Sequence, residues 1–375
     1  MNQTAPKALC FHLPQFHPVP ENDEWWGKGF TEWRNVAKTR PYFDGHYQPH
    51  LPADLGFYDL RLPEVRQAQA DLAREYGIHG FVYYHYWFNG RRILERPVND
   101  ILANGEPDFP FCLCWANENW TRRWDGQDQE ILLKQDYGDE DDLAHIRWLA
   151  TVFSDKRYIR VNGRPLFLVY RLSNLPNPAR TVDLWRSEAE RLGIGEIFIC
   201  NVESFTTEHG LVPRYQLDGA VEFAPDHGRM PPRQNANFLT HLLSRRPRTQ
   251  KLARYLGLIQ PWLTKHGVYS YPKLMANMLA KPDSPYLRFP CVTPSWDNSA
   301  RRELGATIFE GSCPGLYQEW LTRAVKRAKI VNPSEPLVFI NAWNEWAEGN
   351  HLEPCQKWGH SYLEATRNAL IQSDA

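Results

Sequence analysis

The stretch PLVFINAWNEWAEGNHLEP, residues 336–354, joins a short apolar run to a dense group of aromatic and acidic side chains. The apolar run, Leu337–Ala342, has the length and composition of a strand buried on both faces of a sheet. Two tryptophans and three glutamates follow it directly. Parallel strands that end in chemically active side chains are typical of barrels and doubly wound sheets, so this stretch indicates an α/β fold.

Seven similar apolar runs precede Leu337–Ala342, and amphipathic segments separate most of them. Buried strands that alternate with helices indicate a parallel sheet covered by helices. Eight such units favour a closed barrel, and the lack of a glycine-rich phosphate loop after the first run disfavours an open sheet. We therefore predict an α/β fold, a (β/α)8 TIM barrel. The other predicted strands are Ala8–Leu13, Gly80–Tyr86, Phe109–Trp115, Pro165–Tyr170, Ile197–Val202, Gly219–Phe223 and Cys291–Ser295, and the predicted helices are Leu62–Tyr76, Asp139–Phe153, Val182–Leu192, Gly315–Ile330 and Ser361–Ile371.

The chain has 375 residues, whereas a minimal barrel takes roughly 250. Two long segments account for most of the difference. The first, about 18–63, is rich in proline, tryptophan and histidine and has no regular period. The second, about 226–288, lies between the sixth and seventh strands and contains a basic run at residues 245–248, which we interpret as solvated surface. We predict that both are insertions on the catalytic face of a single domain, residues 1–375.

The overall charge gives no support to a nucleic-acid partner. The chain has 43 Lys and Arg against 44 Asp and Glu, without a charged tail. The N-terminus does not resemble a signal peptide, and no apolar run reaches transmembrane length. The seven cysteines are odd in number and lie mostly in predicted strands. These features predict a cytoplasmic protein with reduced thiols.

Aromatic residues are abundant, with 15 Trp, 17 Tyr and 18 Phe, and many stand beside His, Asn or Glu. Such a mixture suits a sugar, whose C–H faces stack on rings while its hydroxyls need polar partners. A barrel's active site lies at the carboxyl ends of its strands, where these mixed groups occur. The candidate substrate-binding residues are His17, Glu32, Trp33, His85, Tyr86, Trp87, Trp115, Asn117, Glu118, Trp120, Glu203, Trp296, Asp297, Asn344 and Trp346.

Glu345 and Glu348 are the candidate catalytic pair. Two carboxyl groups are the minimum for glycosidic bond cleavage, one as acid and the other as base or nucleophile. Three residues apart, they share a face if the chain makes a helical turn after the strand, and Gly349 suits such a turn. Nearby tryptophans would raise the pKa of one carboxyl, as a general acid requires. The alternative is a pair of ordinary surface carboxylates.

Five motifs together resemble the WbsX-type family over nearly the whole chain. Members of this family occur in bacterial lipopolysaccharide and surface-polysaccharide gene sets, and they are similar to glycoside hydrolase family 99, the endo-acting α-mannosidases. The similarity to family 99 is more distant and rests mainly on the barrel and on NEWAEG, residues 344–349. The motifs are HLPQFHPVPENDEWWGKGFTEW (12–33), YYHYWFNGRRILERPV (83–98), FCLCWANENWTRRWDG (111–126), TPSWDNSARR (293–302) and FINAWNEWAEGNHLEP (339–354).

In family 99 a similar Asn-Glu-Trp-x-Glu-Gly segment carries the catalytic pair. The resemblance implies that Glu345 acts as base on the substrate's own 2-hydroxyl, which displaces the leaving group and forms an anhydro-sugar. It implies that Glu348 is the general acid and then the base for water. This chemistry implies an α-manno- or α-rhamno-configured oligosaccharide or polysaccharide substrate. The family's biosynthetic setting implies membrane-associated partners.

No cofactor or metal is expected, because His17, His50 and His85 lack close metal-ligand spacing. Arg122 and Arg123 could meet an anionic substrate group such as a uronate or a diphosphate, but surface salt bridges suit them better.

Three functions stay open from the sequence. The first is glycoside-hydrolase-type catalysis, for which Glu118 is an alternative acid. The second is a glycosyltransferase of O-antigen or lipopolysaccharide biosynthesis, although no Asp-x-Asp metal motif stands where a nucleotide would bind. The third is a non-catalytic glycan-binding barrel, which would bind tightly without turnover. The sequence gives no prediction of the oligomeric state.

Overall fold

Eight parallel strands, each followed by a helix, form the frame of the molecule. The computed structural model describes residues 5–122, 127–234 and 265–372. All eight predicted strands are present and pair in parallel in chain order, so the predicted (β/α)8 TIM barrel is confirmed. Their bounds are Lys7–His12 (β1), Ile78–Phe88 (β2), Phe111–Trp115 (β3), Arg164–Val169 (β4), Phe198–Val202 (β5), Gly219–Val221 (β6), Arg288–Phe289 with Cys291–Val292 (β7) and Leu337–Ile340 (β8).

Strand β7 joins the two ends of the sheet in two short pieces, which Pro290 separates. Arg288–Phe289 pairs with β6, and Cys291–Val292 pairs with β8. Proline has no backbone N–H to donate to a ladder. Its carbonyl oxygen still accepts a hydrogen bond from the backbone N–H of Phe339 at 2.8 Å. The two pieces of β7 therefore pair with β6 and with β8, which closes the barrel.

Helices cover the outside of the barrel, and all five predicted helices are among them. The prediction for 182–192 begins too late, because Asn177 caps the helix and Pro178 occupies its first turn. The helices are Pro20–Trp26, Glu32–Lys38, Pro63–Glu75, Arg96–Asn104, Asp139–Phe153, Pro178–Arg191, Leu211–Arg214, Tyr271–Leu279, Pro314–Val331 and Ser361–Gln372. Short strands outside the barrel are Arg91–Ile93, Trp120–Arg122, Gln127–Leu133, Arg160–Val161, Gly267–Ser270, Thr307–Glu310, Asn344–Glu345 and Asn350–His351.

Within the three described ranges, no helix combines the length and the apolar composition that crossing a bilayer requires.

Aromatic rings fill the barrel interior near the carboxyl ends of the strands. The ring of Phe11 in β1 lies 5.6 Å from Tyr84 of β2, 5.4 Å from Phe223 and 6.0 Å from Phe339 of β8, measured between centroids. Phe11 and Phe339 are fully buried. Offset and edge-on contacts of this kind pack rings closely. The barrel is therefore a filled core, and a ligand must bind above it.

The first insertion, about 18–63, packs over the carboxyl ends of the strands. Its helix Glu32–Lys38 places Glu32 Oε2 3.0 Å from Arg301, which follows β7. Further along the insertion, His46 and Gln48 each hydrogen-bond Asp297 at 2.7 Å. The insertion therefore forms one wall of the face that carries the candidate site.

The second insertion, about 226–288, is described in two parts, residues 226–234 and 265–288. Its strand Gly267–Ser270 pairs in parallel with Thr307–Glu310, in the loop after β7. Its Lys281 is buried, with Nζ 3.2 Å from Glu222 and 2.7 Å from Asp226. The basic run at residues 245–248 lies outside the described residues. The assignment of the whole chain to a single domain stays a prediction.

Two histidines touch in the helix layer outside β2. His85 Nε2 and His145 Nε2 are 3.0 Å apart, and both rings are buried. His85 stacks on Trp148, and His145 stacks on Trp87, each with ring centroids 4.6 Å apart. Burial lowers the pKa of His85 to about 3 and lowers the pKa of His145 well below its ordinary value. Both rings are neutral in the folded protein, and one donates its N–H to the other.

The free energy of unfolding should fall as the pH drops below about 6.5, because unfolded histidines bind protons that these folded ones exclude. A histidine whose pKa is lower in the folded than in the unfolded protein contributes its full stabilisation above the unfolded-state pKa. That stabilisation is lost as the pH falls towards the folded-state pKa. Each such histidine contributes about 1.4 kcal/mol per pH unit in that window. Urea unfolding between about pH 7.5 and about pH 5 should give a smaller pH slope for His145→Phe than for the wild type. Equal slopes would contradict this role for His145.

Candidate active site

An open cleft of about 570 Å³ lies at the carboxyl ends of the strands. Residues at or just after the carboxyl ends of all eight strands line it, and the first insertion contributes Trp26. The lining residues are Leu13, Gln15, Trp26, Tyr84, Tyr86, Ala116, Glu118, Asn119, Trp120, Thr121, Leu132, Tyr170, Arg171, Phe205, Phe223, His227, Trp296, Asn298, Arg301, Arg302, Thr307, Glu345 and Glu348.

Arg301, in the turn after β7, joins three carboxylates in this cleft. Its Nε lies 3.0 Å from Glu32 Oε2, one terminal nitrogen lies 2.7 Å from Glu345 Oε2, and the other lies 2.7 Å from Glu348 Oε1. The Arg301 side chain is only 12% exposed, and that of Glu32 is fully buried. A planar guanidinium has five N–H donors in a fixed fork, so it can bind three carboxylates at once.

The cluster contains more carboxylates than cations. Burial raises the pKa of Glu345 to about 8, with Arg301 opposing that rise and Glu348 and Glu32 adding to it. Burial also raises the pKa of Glu348, against the effect of Arg301. Two carboxyls that are coupled through one cation titrate as a unit. The directions of these two shifts favour one proton shared by the pair at neutral pH, which would give an acid and a base side by side.

A short turn after β8 carries the two glutamates, so the condition under which they would share a face is met. Strand Asn344–Glu345 pairs with Asn350–His351, and a 3-10 turn from Trp346 to Glu348 lies between them. Gly349 has a φ of +55°, and a Cβ at this position would lie 3.1 Å from the Cβ of Asp297. Only glycine accepts both the conformation and the close approach. The turn is thereby held against the loop after β7.

Behind this turn, the buried carboxyl of Glu353 accepts three hydrogen bonds. Its donors are Trp346 Nε1 at 2.6 Å, Gln69 Nε2 at 2.7 Å and the Tyr58 hydroxyl at 2.8 Å. Burial raises the pKa of Glu353 to about 7, and these donors oppose the rise. Trp346 stands between the two catalytic candidates in the chain, so its hydrogen bond to Glu353 fixes the backbone that directs them.

The predicted residues that line the cleft are Tyr86, Glu118, Trp120, Trp296, Glu345 and Glu348. The ring of Trp120 lies edge-on to Tyr86, with centroids 5.1 Å apart. Glu118 Oε1 lies 3.2 Å from Arg171, so this carboxylate is paired separately from the Arg301 cluster. The structure thus brings the two candidate catalytic residues together with aromatic rings in one cleft.

Three predicted residues of β2 and β3 pack into the helix layer instead. Tyr86 faces the cleft, and the period of two along a strand turns His85 and Trp87 to the other side. Trp87 Nε1 donates to Asp141 at 2.8 Å. Trp115 is fully buried, and its Nε1 donates to the backbone oxygen of Trp87 at 3.3 Å. For His85, Trp87 and Trp115, packing between barrel and helices takes the place of the predicted substrate contact.

Two predicted asparagines bind backbone groups of neighbouring loops. The side chain of Asn117 donates to the Arg171 oxygen and accepts from the Arg171 N–H, both at 2.8 Å. The side chain of Asn344 accepts from the Leu13 N–H at 2.7 Å and donates to the Leu13 oxygen at 3.0 Å. With their amide groups used in this way, Asn117 joins the loops after β3 and β4, and Asn344 joins those after β8 and β1.

Two predicted carboxylates also bind protein groups outside the cleft. Glu203 is fully buried and accepts a hydrogen bond from the Tyr286 hydroxyl. Asp297 accepts hydrogen bonds from His46 and Gln48 of the first insertion, and it caps the short turn that follows. Both carboxylates therefore organise the loops around the cleft.

The remaining predicted residues lie outside the cleft lining, within the Arg301 cluster, behind it or away from it. Glu32 belongs to the cluster itself. Trp33 and Trp346 pack together behind it, with ring centroids 5.5 Å apart. His17 is buried, at 1% exposure, outside the cleft lining. In the described part of the chain, no group of three or more His, Cys, Asp or Glu side chains is arranged to hold a metal ion.

Sequence reasoning did not identify Arg301, although it lies in the motif TPSWDNSARR. The sequence signal that could have identified Arg301 is the pair Arg301 and Arg302 soon after a predicted strand. A buried acidic pair such as Glu345 and Glu348 needs a cation nearby. Further cleft residues that the prediction did not include are Gln15, Trp26, Tyr84, Tyr170, Phe205, His227 and Arg302.

Comparisons with known proteins agree with this architecture. The model of the family described as glycosyltransferase WbsX matches residues 8–366. Two proteins described as uncharacterized protein WxcX, from two strains of Xanthomonas campestris pv. campestris, are 44% identical to this chain over 374 residues. The alignments cover 99% of this chain and 50% of each relative. The chain therefore spans about half the length of the curated relatives it matches.

Solved structures share the fold at low sequence identity. An endo-alpha-mannosidase of glycoside hydrolase family 99 from Bacteroides thetaiotaomicron has a TM-score of 0.56 at 12% identity, covering 98% of this chain and 97% of that one. A structure described as a glycoside hydrolase-like protein has a TM-score of 0.58 at 12% identity, covering 99% and 95%. At this identity the likeness shows the fold alone. The family match extends over nearly the whole chain, and this protein belongs to the WbsX glycosyltransferase family of carbohydrate-active proteins.

Proposed function

We propose that the protein is a carbohydrate-active enzyme with glycoside-hydrolase-type catalysis on an α-manno- or α-rhamno-configured bacterial surface polysaccharide. The observation that carries the proposal is the pair Glu345 and Glu348, whose side chains are 6% and 18% exposed and which Arg301 holds in a cleft formed by all eight strand ends. The Asn-Glu-Trp-x-Glu-Gly segment at residues 344–349 supports it further.

In the proposed reaction the substrate supplies its own nucleophile. Glu345 takes the proton of the 2-hydroxyl while that oxygen bonds to the neighbouring anomeric carbon and the glycosidic C–O bond breaks. Glu348 gives its proton to the leaving oxygen, so an anhydro-sugar and a shortened glycan result. Glu348 then takes a proton from water as the water oxygen opens the strained ring at the anomeric carbon. Glu345 returns its proton to the 2-oxygen, and both side chains regain their first state.

This geometry demands that the 2-hydroxyl stand trans and diaxial to the leaving group. An α-manno- or α-rhamno-configured sugar meets the demand, which is why the proposal names these configurations. An open cleft lined by Trp26, Trp120 and Trp296 suits an internal stretch of a glycan, because sugar faces can stack on each ring.

The shared proton fits the two roles once a substrate is bound. In the empty cleft, burial raises the pKa of Glu345 strongly. A 2-hydroxyl that donates to Glu345 stabilises the carboxylate form, because hydrogen bonds to a charged carboxyl favour ionisation. The proton of the coupled pair then resides on Glu348, beside the leaving oxygen. Arg301 keeps both carboxyls oriented throughout.

The second candidate is glycosyl transfer with the same residues, which the description of the family as glycosyltransferases favours. An acceptor hydroxyl would take the place of water when the anhydro-sugar opens, provided that water is excluded. As a transferase, the enzyme would act on a lipid-linked glycan in the cytoplasm, together with membrane-associated biosynthetic partners. The two candidates differ only in the acceptor, and a non-catalytic glycan-binding barrel would show neither reaction.

Glu348→Gln should abolish turnover while the fold persists, because it removes the proton donor at almost constant volume. The measurement is mass spectrometry of purified protein incubated with the host's lipid-linked surface glycan, with and without nucleotide sugars. Shortening of the glycan without any longer product identifies a hydrolase. Lengthening of some glycan chains, with or without a nucleotide sugar, identifies a transferase.

The matched control for this variant is Glu319→Gln, which loses the same charge on an exposed helix face, where Glu319 pairs with Arg323. It should turn over the glycan like the wild type. Wild-type rates in Glu348→Gln would refute the assignment of the acid.

Glu345→Gln should also abolish turnover, since an amide cannot accept the proton of the 2-hydroxyl, while glycan affinity should change by less than about tenfold. Titration of tryptophan fluorescence would measure that affinity, because three tryptophans line the cleft. Loss of both binding and turnover, with an intact thermal unfolding transition, would instead make Glu345 a binding residue.

A further inference from the structure

Part of the cleft wall consists of hydrogen-bond donors that lack an acceptor. Arg302 follows the fully paired Arg301, is partly buried and lines the cleft. Its guanidinium makes a single long hydrogen bond of 3.4 Å, to the Gly305 oxygen, and no ion pair with any of the residues that the structure describes. The other two arginines of the cleft are neutralised, since Arg301 binds three carboxylates and Arg171 binds two.

Asn298 lies one turn before Arg302 and lines the same cleft. The Arg302 N–H donates to the Asn298 backbone oxygen at 3.0 Å, which places the two side chains on one side of the turn. Asn298 Oδ1 accepts the Thr307 N–H at 2.8 Å. The side-chain amide nitrogen of Asn298 donates to no acceptor within residues 5–122, 127–234 and 265–372, so it is available to a ligand.

His227, from the second insertion, completes the group of donors. Its ring stacks on Phe205, with centroids 4.6 Å apart and planes at 14°, and it lines the cleft. Desolvation by the surrounding protein lowers the pKa of His227, Asp226 opposes that shift, and the charges of Arg302 and Arg171 add to it. A neutral imidazole still offers one N–H donor.

The position of Arg302 relates this group to the catalytic pair. Its charge acts on His227 and also on Glu348, opposing the rise in the pKa of Glu348 that burial causes. Arg302 therefore lies within electrostatic reach of both His227 and the proposed acid, in the same cleft. An anion bound at Arg302 would then lie on the Glu348 side of the cleft, where the proposed reaction places the leaving group.

We propose that Arg302, Asn298 and His227 bind an anionic oxygen group of the substrate, a carboxylate or a phosphate, on the leaving-group side of the scissile bond. Guanidinium, amide and imidazole N–H groups together match the several acceptor oxygens of such an anion. The position of the anion relative to the bond rests on the proposed function, but its binding does not. The substrate class is then a glycan with an acidic sugar or a phosphate-linked residue next to the cleaved bond.

Binding of small probes tests this site without any turnover. Tryptophan fluorescence of the full chain would be titrated with pyrophosphate, with glucuronate and with neutral glucose. We expect saturable binding of at least one anion, weaker binding of glucose, and a loss of anion affinity of about tenfold or more in Arg302→Gln. Arg302→Lys should keep part of the affinity because it keeps the charge.

Two further variants separate a specific site from general charge. Asn298→Asp retains the acceptor for the Thr307 N–H but adds a negative charge, and it should abolish anion binding. Arg323→Gln removes the same charge as Arg302→Gln from an exposed salt bridge on the outer helix, and it should bind like the wild type.

Saturation with pyrophosphate alone would assign a phosphate group, and saturation with glucuronate alone would assign an acidic sugar. Either result supports the site. Equal anion affinity in Arg302→Gln and the wild type, or no saturable binding of either anion, would overturn it. Glu348→Gln should still bind the anion, so a failure of the proposed catalysis would be seen separately from a failure of this site.

Discussion

The shared guanidinium of Arg301 is the interaction on which the candidate site depends. Three carboxylates from distant parts of the chain, Glu32, Glu345 and Glu348, converge on this side chain in a largely buried position. Without the cation they would repel one another, and removing one partner from a buried ionic group costs about 3–5 kcal/mol. With one cation for three carboxyls, complete ionisation stays unfavourable. The same shortage of positive charge favours a proton within the cluster, as the proposed acid catalysis requires.

The rest of the active face holds this cluster in position. Asn344 binds the backbone after β1, Asn117 binds the backbone after β4, and Asp297 binds the first insertion. Glu353 fixes Trp346, which separates Glu345 from Glu348 in the chain. Buried polar side chains that hydrogen-bond to loops in this way hold those loops in fixed positions. The barrel supplies the strand ends, and these polar contacts make their loops into one site.

The sequence was sufficient for the fold because each strand of a parallel barrel is a nearly continuous apolar run, which is visible without knowledge of its neighbours. It was also sufficient for the turn at Glu345 and Glu348, because a glycine and a spacing of three residues are local signals. It did not predict which polar side chains face the cleft. His85 and Tyr86 are adjacent and similar in character, yet strand alternation turns one into the helix layer and the other into the cleft. Nor could it show that Arg301 meets Glu32, since that contact depends on how the first insertion folds back over the barrel.

We expect the pair Glu345 and Glu348 to keep one proton at neutral pH, and the proposed acid catalysis depends on that proton. Carbon-13 NMR titration of glutamate side-chain carboxyls, from about pH 4 to about pH 9, tests it most directly. We expect a carboxyl signal that titrates above about pH 7 and disappears in both Glu345→Gln and Glu348→Gln, because either change breaks the coupled pair. The separate signal of Glu353, whose pKa burial raises to about 7, should remain in both variants. If Glu345 and Glu348 both lose their protons below about pH 5 in the wild type, the pair holds no acid at neutral pH and the account is contradicted.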